Sequence, residues 1–135
     1  MLTLKGKSVF SGISIGPLAL FHRNTISTAV RPIEDVDAEI ARFQKAREEA
    51  IGQLKDLYVK AVDKVGEEQA AVFEVHQMML DDDDYIEGIE TKICDEKMNA
   101  EAAVDQTAQK FAEMFRSMED AYMQARAADV LDISR

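Results

Sequence analysis

The chain has 135 residues, with 26 acidic and 16 basic side chains and a formal charge of −10 at pH 7. This length suits one modest domain, and a hydrophobic content of 47% with two prolines and no tryptophan excludes wholesale disorder and favours helices. The acidity argues against a nucleic-acid-binding surface, no apolar run approaches the ~20 residues of a membrane span, and the single cysteine fits a reducing, cytoplasmic compartment.

The composition changes at Pro32. Both prolines, three of the six glycines and four basic residues lie in residues 1–32 without any acid, whereas the rest of the chain holds 26 acids, 12 bases and no proline. Alternating Ile13 and Ile15 among turn-forming residues predict a short strand rather than a signal peptide. We therefore divide the chain into an amino-terminal β segment with a linker, residues 1–32, and a helical subdomain, residues 33–135.

Apolar residues at three- and four-residue steps predict a long helix over residues 34–65. Asp35 and Asp37 lie in its first turn, where the helix dipole favours negative charge, and Gly66 ends it. A second helix is predicted over residues 67–80. Its apolar arc is wider than one core face requires, which leaves open whether it is buried on two sides or offers an apolar surface.

Four aspartates at residues 81–84 precede a third predicted helix over residues 85–96. Asn99 is a good N-cap for a last helix over residues 100–133. The apolar stripe of that helix is predicted to consist of Val104, Ala108, Phe111, Met114 or Phe115, Met118, Tyr122 and Ala125.

The two long helices would each span about 50 Å and are expected to pair antiparallel, with the shorter helices beside them. A coiled-coil dimer is the alternative. Gly66, Gly88 and the acidic break favour a chain that folds back on itself.

The four aspartates do not form an EF-hand. That motif needs glycine at its sixth position, where counting from Asp81 or Asp82 gives Ile86 or Glu87. The pattern favours a solvated acidic turn that also charges the start of the next helix.

Residues 67–96 contain eleven acids and one lysine. Val72, Val75, His76 and Met79 share one helical face with this charge around them. An apolar strip edged by carboxylates predicts a docking surface for a basic protein, because apolar contact supplies affinity and charge steers the encounter. The alternative is an ordinary solvated helix edge. His76 has no neighbouring base or phosphate cradle in the sequence, so we interpret it as a contact residue and not as a nucleophile.

Residues 66–82 read GEEQAAVFEVHQMMLDD. This string resembles the signature G-E-E-x-A-x-[IV]-F-E-x-H-x-[ML]-[ML]-L-x-D of enzyme I, the phosphoenolpyruvate-protein phosphotransferase family of the bacterial sugar phosphotransferase system. Residues 97–103 (KMNAEAA) and 126–133 (RAADVLDI) match further family patterns, as do Gly6, Gly12, Ile13 and Gly16. Together these matches span nearly the whole chain.

The resemblance implies an all-α fold, a four-helix bundle of two hairpins. It also implies that the short amino-terminal β segment belongs to a phosphohistidine α/β domain into which the bundle is inserted. In that family the helical subdomain binds the phosphocarrier protein HPr. Carried over by position, the residues expected to contact HPr are Glu67, Glu68, Ala71, Val72, Glu74, His76, Met78, Met79, Asp82, Asp83, Asp84, Tyr85 and Arg126.

The resemblance places the phosphoryl-accepting histidine in a G-G-x-x-[SC]-H motif beyond residue 135, and phosphoenolpyruvate and magnesium in a later barrel domain. We therefore expect no catalytic residue, cofactor or metal in these 135 residues, which should dock HPr without catalysis. Phe10, Ser11 and Gly12 lack the family's proline, and Lys110 and Met114 are bulkier than is usual at their positions.

Two further hypotheses stay open from the sequence. One is intrinsic phosphotransfer, and the other is a free-standing helical regulator of some other basic protein. The amino-terminal strand is expected either to pair with a second copy, giving a homodimer, or to lie loosely on the bundle, because an unpaired strand edge favours association.

Overall fold

Five α-helices make up the fold in a computed structural model that describes residues 5–7, 11–13, 15–17, 19 and 26–135. They are α1 (Val36–Val65), α2 (Glu67–Leu80), α3 (Asp83–Glu96), α4 (Ala100–Ser117) and α5 (Ala121–Ile133). The predicted all-helical bundle is confirmed for this part of the chain. Ile13 and Ile15, on which the strand prediction rests, lie among the described residues, are each 97% exposed and belong to no strand. The predicted strand is therefore not observed at these two residues, part of the remaining stretch falls outside the described ranges, and its pairing with a second copy stays a prediction.

The first hairpin consists of α1 and α2. The Asp35 carboxylate caps α1 by accepting from the Ala38 amide at 2.9 Å. Gly66 joins the helices with φ of 89°, a conformation that glycine adopts without strain, and the chain reverses there. Arg47 of α1 then meets the far end of α2, where it donates to the Asp81 carboxylate at 2.6 Å.

Helix α3 begins two residues earlier than predicted, because Asp82 acts as its N-cap and accepts from the Tyr85 amide at 3.0 Å. Ile89 and Ile93 are fully buried on its core side. Gly88 allows α4 to approach closely, since a Cβ atom at this position would lie 3.2 Å from Cγ2 of Thr107. The buried side of α4 is built mainly from alanines, which keeps the spacing between α3 and α4 small.

The predicted single helix over residues 100–133 is wrong. Helix α4 ends at Ser117, Met118 is extended, and α5 starts after Asp120. The Asp120 carboxylate accepts from the Tyr122 amide at 2.7 Å and the Met123 amide at 3.2 Å, which is the geometry of a new helix start.

This break turns α5 back along α4 and changes which residues are buried. Tyr122 and Ala125, assigned to the apolar stripe, are exposed. Ala127 and Val130 are buried in their place. The predicted stripe holds only before the break, where Val104, Phe111 and Phe115 pack against the core.

The bundle consists of two hairpins, α1 with α2 and α4 with α5, and α3 packs mainly on α4. The two long predicted helices therefore do not pair along their lengths. Helices α1 and α4 meet close to their starts, where Arg42 forms two hydrogen bonds of 2.8 Å with Glu101. No helix among the described residues has the length and apolar character needed to cross a membrane.

The linker before α1 is tied to the turn between α3 and α4. Pro32 and Met98 form an isolated antiparallel bridge, and the Arg31 amide donates to Asn99 Oδ1 at 2.8 Å. Asn99 occupies the predicted N-cap position of α4 but does not cap it with its side chain. Oε1 of Glu39 accepts from the Ala100 amide instead, at 2.6 Å.

Candidate functional site

The side of α2 that faces away from the core carries an apolar strip. Ala70 and Leu80 are buried and mark the core side of the helix. Because successive residues of an α-helix are turned by about 100°, the opposite side holds one acidic and five apolar side chains. These are Glu68, Ala71, Val72, Val75, Met78 and Met79. We call the five apolar residues the outer strip.

Two of the five outer-strip residues are exposed and three are partly covered. Met78 is 72% exposed and Val72 is 38% exposed, whereas Ala71, Val75 and Met79 are half-buried. Met79 also packs against the core, so its side chain contributes both to the outer strip and to the core. Val75 lies at the centre of this side, and the family pattern did not include it among the expected contact residues. Helical periodicity places it there once the buried side of α2 is known.

Six carboxylates surround the outer strip, and we call them the acidic rim. They are Glu67, Glu68, Glu74, Asp82, Asp83 and Asp84, all exposed. Within the described part of the chain none of the six lies in an ion pair. The neighbouring Asp81 differs, because Arg47 neutralises it at 2.6 Å. The rim therefore presents uncompensated negative charge beside apolar surface.

His76 faces α5 and not the solvent. Its side chain is 15% exposed, and Nε2 lies 3.4 Å from Oδ1 of Asp129 without a hydrogen bond to any described residue. Oδ2 of the same aspartate accepts from Arg126 at 2.7 Å. His76 thus belongs to a contact between α2 and α5, where it borders the outer strip from one side.

Arg126 is also turned inward. Its guanidinium is held by Asp129 and lies 4.3 Å from the centroid of the Tyr122 ring, which is the geometry of a cation–π contact. Tyr122 itself is largely exposed. The predicted stripe had assigned this tyrosine to the core, so the sequence pattern missed it as a surface residue beside Arg126.

Tyr85 is a core residue, contrary to its expected place in the contact surface. It is 2% exposed, its hydroxyl lies 2.7 Å from Oγ of Ser134, and its ring meets Phe111 edge-on with centroids 5.7 Å apart. Burial raises the pKa of its hydroxyl group. The polypeptide turns at the Asp82 cap, so the residue that follows Asp83 and Asp84 points into the bundle.

The structure thus brings together most of the residues that the family pattern selected. The outer strip and the acidic rim lie on α2 and on the first turn of α3, while His76 and Arg126 both contact Asp129 on the α5 side of α2. What this patch offers chemically is apolar contact and electrostatic attraction. Among the described residues, no group of three His, Cys, Asp or Glu side chains is placed to hold a metal ion.

Comparisons with known proteins point to one family. The model of the family described as "PEP-utilising enzyme, N-terminal" matches residues 5–126. The chain is 37% identical to the phosphoenolpyruvate-protein phosphotransferase of Bacillus sp. (strain S) and 38% identical to that of Geobacillus stearothermophilus, over 133 residues in both cases. Each match covers 98% of this chain and 23% of the relative, so the chain spans about a quarter of the length of these proteins.

Two solved structures share the fold. A solution structure of an enzyme I protein is 34% identical, with a TM-score of 0.77, and the match covers 82% of this chain and 46% of that one. A structure named the N-terminal domain of Enzyme 1 - Nitrogen is 25% identical, with a TM-score of 0.74, over 82% of this chain and 48% of that one.

Proposed function

Because the chain belongs to the family of amino-terminal domains of phosphoenolpyruvate-utilising enzymes, we propose that its helical bundle docks the phosphocarrier HPr for a phosphoenolpyruvate-protein phosphotransferase. In such an enzyme the phosphoryl group passes from phosphoenolpyruvate through a histidine to HPr for sugar uptake. The bundle's part in that reaction is to hold the carrier. The acceptor histidine and the magnesium and phosphoenolpyruvate site are assigned to other parts of the enzyme.

The observation that carries this proposal is the exposure of the outer strip within a rim of unpaired carboxylates. Met78 and Val72 stand in solvent although they are apolar, and Glu67, Glu68 and Glu74 lie beside them. A partner with an apolar centre and basic edges fits this surface. Methionine adds adaptability, since its unbranched side chain repacks easily.

Charge on the two proteins is expected to govern the association rate of such a partner. The chain carries a net charge of −10, and the acidic rim concentrates part of it around the docking surface. Opposite charge on the partner raises the association rate, whereas the apolar contact governs how long the complex lasts. Since exposed charges more than about 8 Å apart are screened near physiological ionic strength, the affinity is expected to fall as salt rises.

The test is a titration of this chain with HPr from the same organism, followed by the shifts of backbone amides and by calorimetry. Shifts are expected at Glu68, Val72 and Met78. Met78→Ala should weaken binding about tenfold, because it removes the most exposed apolar side chain of the outer strip. Val59→Ala is the control, since Val59 is exposed on α1.

Glu68→Lys should slow association more than it speeds dissociation. Glu48→Lys on α1 changes the net charge equally and should have a much smaller effect. If HPr binds with its shifts outside α2 and the start of α3, or does not bind, the proposal is wrong. In the second case, binding of another basic protein at the same patch would favour a helical regulator.

A further inference from the structure

The methionine side chains of the bundle differ widely in their exposure. Met78 on α2 is 72% exposed and Met114 on α4 is 44% exposed, whereas Met98 at the turn before α4 is 4% exposed. The other methionines among the described residues are half-buried. A thioether reacts with a dissolved oxidant only where the two can meet, so exposure makes Met78 the most reactive methionine in the described part of the chain.

The charges around Met78 influence which oxidants reach it. Glu74 lies one helical turn before Met78 on α2, and Asp82 follows the end of that helix. Neither carboxylate lies in an ion pair within the described part of the chain. This uncompensated negative charge repels anionic oxidants such as superoxide, whereas hydrogen peroxide is uncharged and approaches freely.

Oxidation of an exposed methionine affects binding more than folding. A sulfoxide is polar, and at Met78 solvent satisfies its oxygen as long as the free bundle leaves this side chain uncovered. When a partner covers the outer strip, the sulfoxide oxygen loses its water and lies against apolar surface, which costs free energy. Oxidation of Met98 would have the opposite consequence, because its side chain belongs to the core.

We propose that Met78 is a site of reversible oxidation, at which hydrogen peroxide forms a sulfoxide that weakens carrier binding while the bundle stays folded. This inference rests on the proposed function and adds a regulation of the same surface. The sulfur lone pair takes one oxygen of the peroxide, so the O–O bond breaks and an S–O bond forms. Sulfur is thereby oxidised by two electrons, and the second oxygen leaves with both protons as water. A dithiol reverses the step by removing the oxygen as water and becoming a disulfide.

The test treats this chain with limiting hydrogen peroxide and then with dithiothreitol, which restores the exposed thiol of Cys94 but leaves a sulfoxide in place. Mass spectrometry is expected to find one added oxygen at Met78 before any at Met98. Calorimetry with HPr should show a loss of affinity of about tenfold or more, because a sulfoxide is more polar than the alanine of Met78→Ala. Methionine sulfoxide reductases for both sulfoxide epimers should then restore the affinity.

Two leucine variants assign the effect to one residue. Met78→Leu should bind HPr equally before and after treatment with peroxide, because leucine has no sulfur to oxidise. Met114→Leu is the matched control and should still lose affinity on treatment, since Met114 lies on α4 and outside the outer strip. Each comparison is between treated and untreated samples of one variant, so differences in starting affinity do not enter it.

A loss of affinity that persists in Met78→Leu, or that accompanies a loss of helical circular dichroism, would show that the inference is wrong. Unchanged binding after oxidation at Met78, or faster oxidation of another methionine, would show the same. In these cases the proposed function still stands, provided that the untreated wild-type chain binds HPr. If the untreated chain does not bind HPr, the proposed function is wrong and this inference fails with it.

Discussion

Neighbouring residues at the start of α3 have different roles because one cap sets their directions. Asp82 accepts from the Tyr85 amide, so Asp83 and Asp84 point to solvent in the first turn while Tyr85 points into the bundle. The tyrosine hydroxyl then needs a buried partner, which Ser134 provides at the end of α5. This hydrogen bond joins the start of α3 to the end of α5. It is expected to contribute to the stability of the bundle and not to contact with a partner protein.

Tyr85→Phe is therefore expected to lower the free energy of unfolding by about 1 kcal/mol, the usual net value of one hydrogen bond. The loss should not be larger, because Ser134 keeps its hydrogen bond to the Val130 carbonyl at 2.6 Å. Denaturant unfolding measures the change, and the affinity for HPr should stay within twofold of the wild type. A clear loss of affinity with unchanged stability would place Tyr85 in the contact after all.

The elements differ in how firmly their ends are determined. Helix α1 has a capping aspartate and a terminal glycine, so both of its ends are marked locally. The end of α4 and the start of α5 depend on a three-residue turn, and the side-chain amide of Gln124 in α5 donates from Nε2 to the Met118 carbonyl of this turn at 2.7 Å. This turn orients α5, and α5 in turn holds Asp129, which is paired with Arg126, close to His76 of α2.

Asp120→Ala removes the cap of α5 and is expected to destabilise the fold by about 1 kcal/mol. Amides of the first turn of α5 should exchange faster with deuterium, because two of them lose the carboxylate acceptor. Asp120→Asn is the control, since asparagine caps helices about as well as aspartate. Equal exchange rates for the alanine and asparagine variants would argue that the turn, and not the cap, starts α5.

At the scale of the whole molecule, the starts of α1 and α4 are joined by a charged cluster. Arg42 lies between Glu39 at 2.6 Å and Glu101 at 2.8 Å. Hydrogen bonding to Arg42 lowers the pKa of Glu101 from 4.5 to about 2, and the same arginine lowers the pKa of Glu39. Since the linker before α1 also joins the turn before α4, this cluster sets how the two hairpins meet.

The cluster makes stability depend on pH in a defined direction. The folded state favours the carboxylate of Glu101, so this contribution is complete above pH 4.5 and is lost as the pH falls toward about 2. Because Arg42 is half exposed, we expect about 1 to 2 kcal/mol, less than the full pKa difference implies.

Unfolding of the wild type and of Glu101→Gln between pH 7 and pH 2 measures this contribution. The glutamine variant should be less stable at pH 7 and should lose less stability on acidification. A constant difference between the two proteins at every pH would exclude Glu101 as the titrating group.

Much of the fold follows from local sequence. Periodicity and Gly66 predict the bounds of α2 and the end of α1 to the residue, because these signals act within a single helix. The start of α1 lies two residues later than predicted, because Asp35 caps the helix and does not lie in its first turn. The motif of residues 66–82 predicts the family, and the resemblance to the amino-terminal part of enzyme I is confirmed. The same motif identified an acidic, apolar helix before its surroundings were known.

Packing decided the rest, because periodicity reports which side of a helix is apolar and not what covers it. The local sequence around Asp120 is compatible both with a helix interior and with a helix cap. Asp120 becomes a cap because α5 packs back on α4. Burial of Tyr85 against Ser134 and the close approach of Thr107 to Gly88 likewise depend on residues distant in sequence. The sequence alone determined helices α1 to α3, the charge of the chain and its family, whereas tertiary contacts decided where the last predicted helix breaks and which apolar and charged side chains reach solvent.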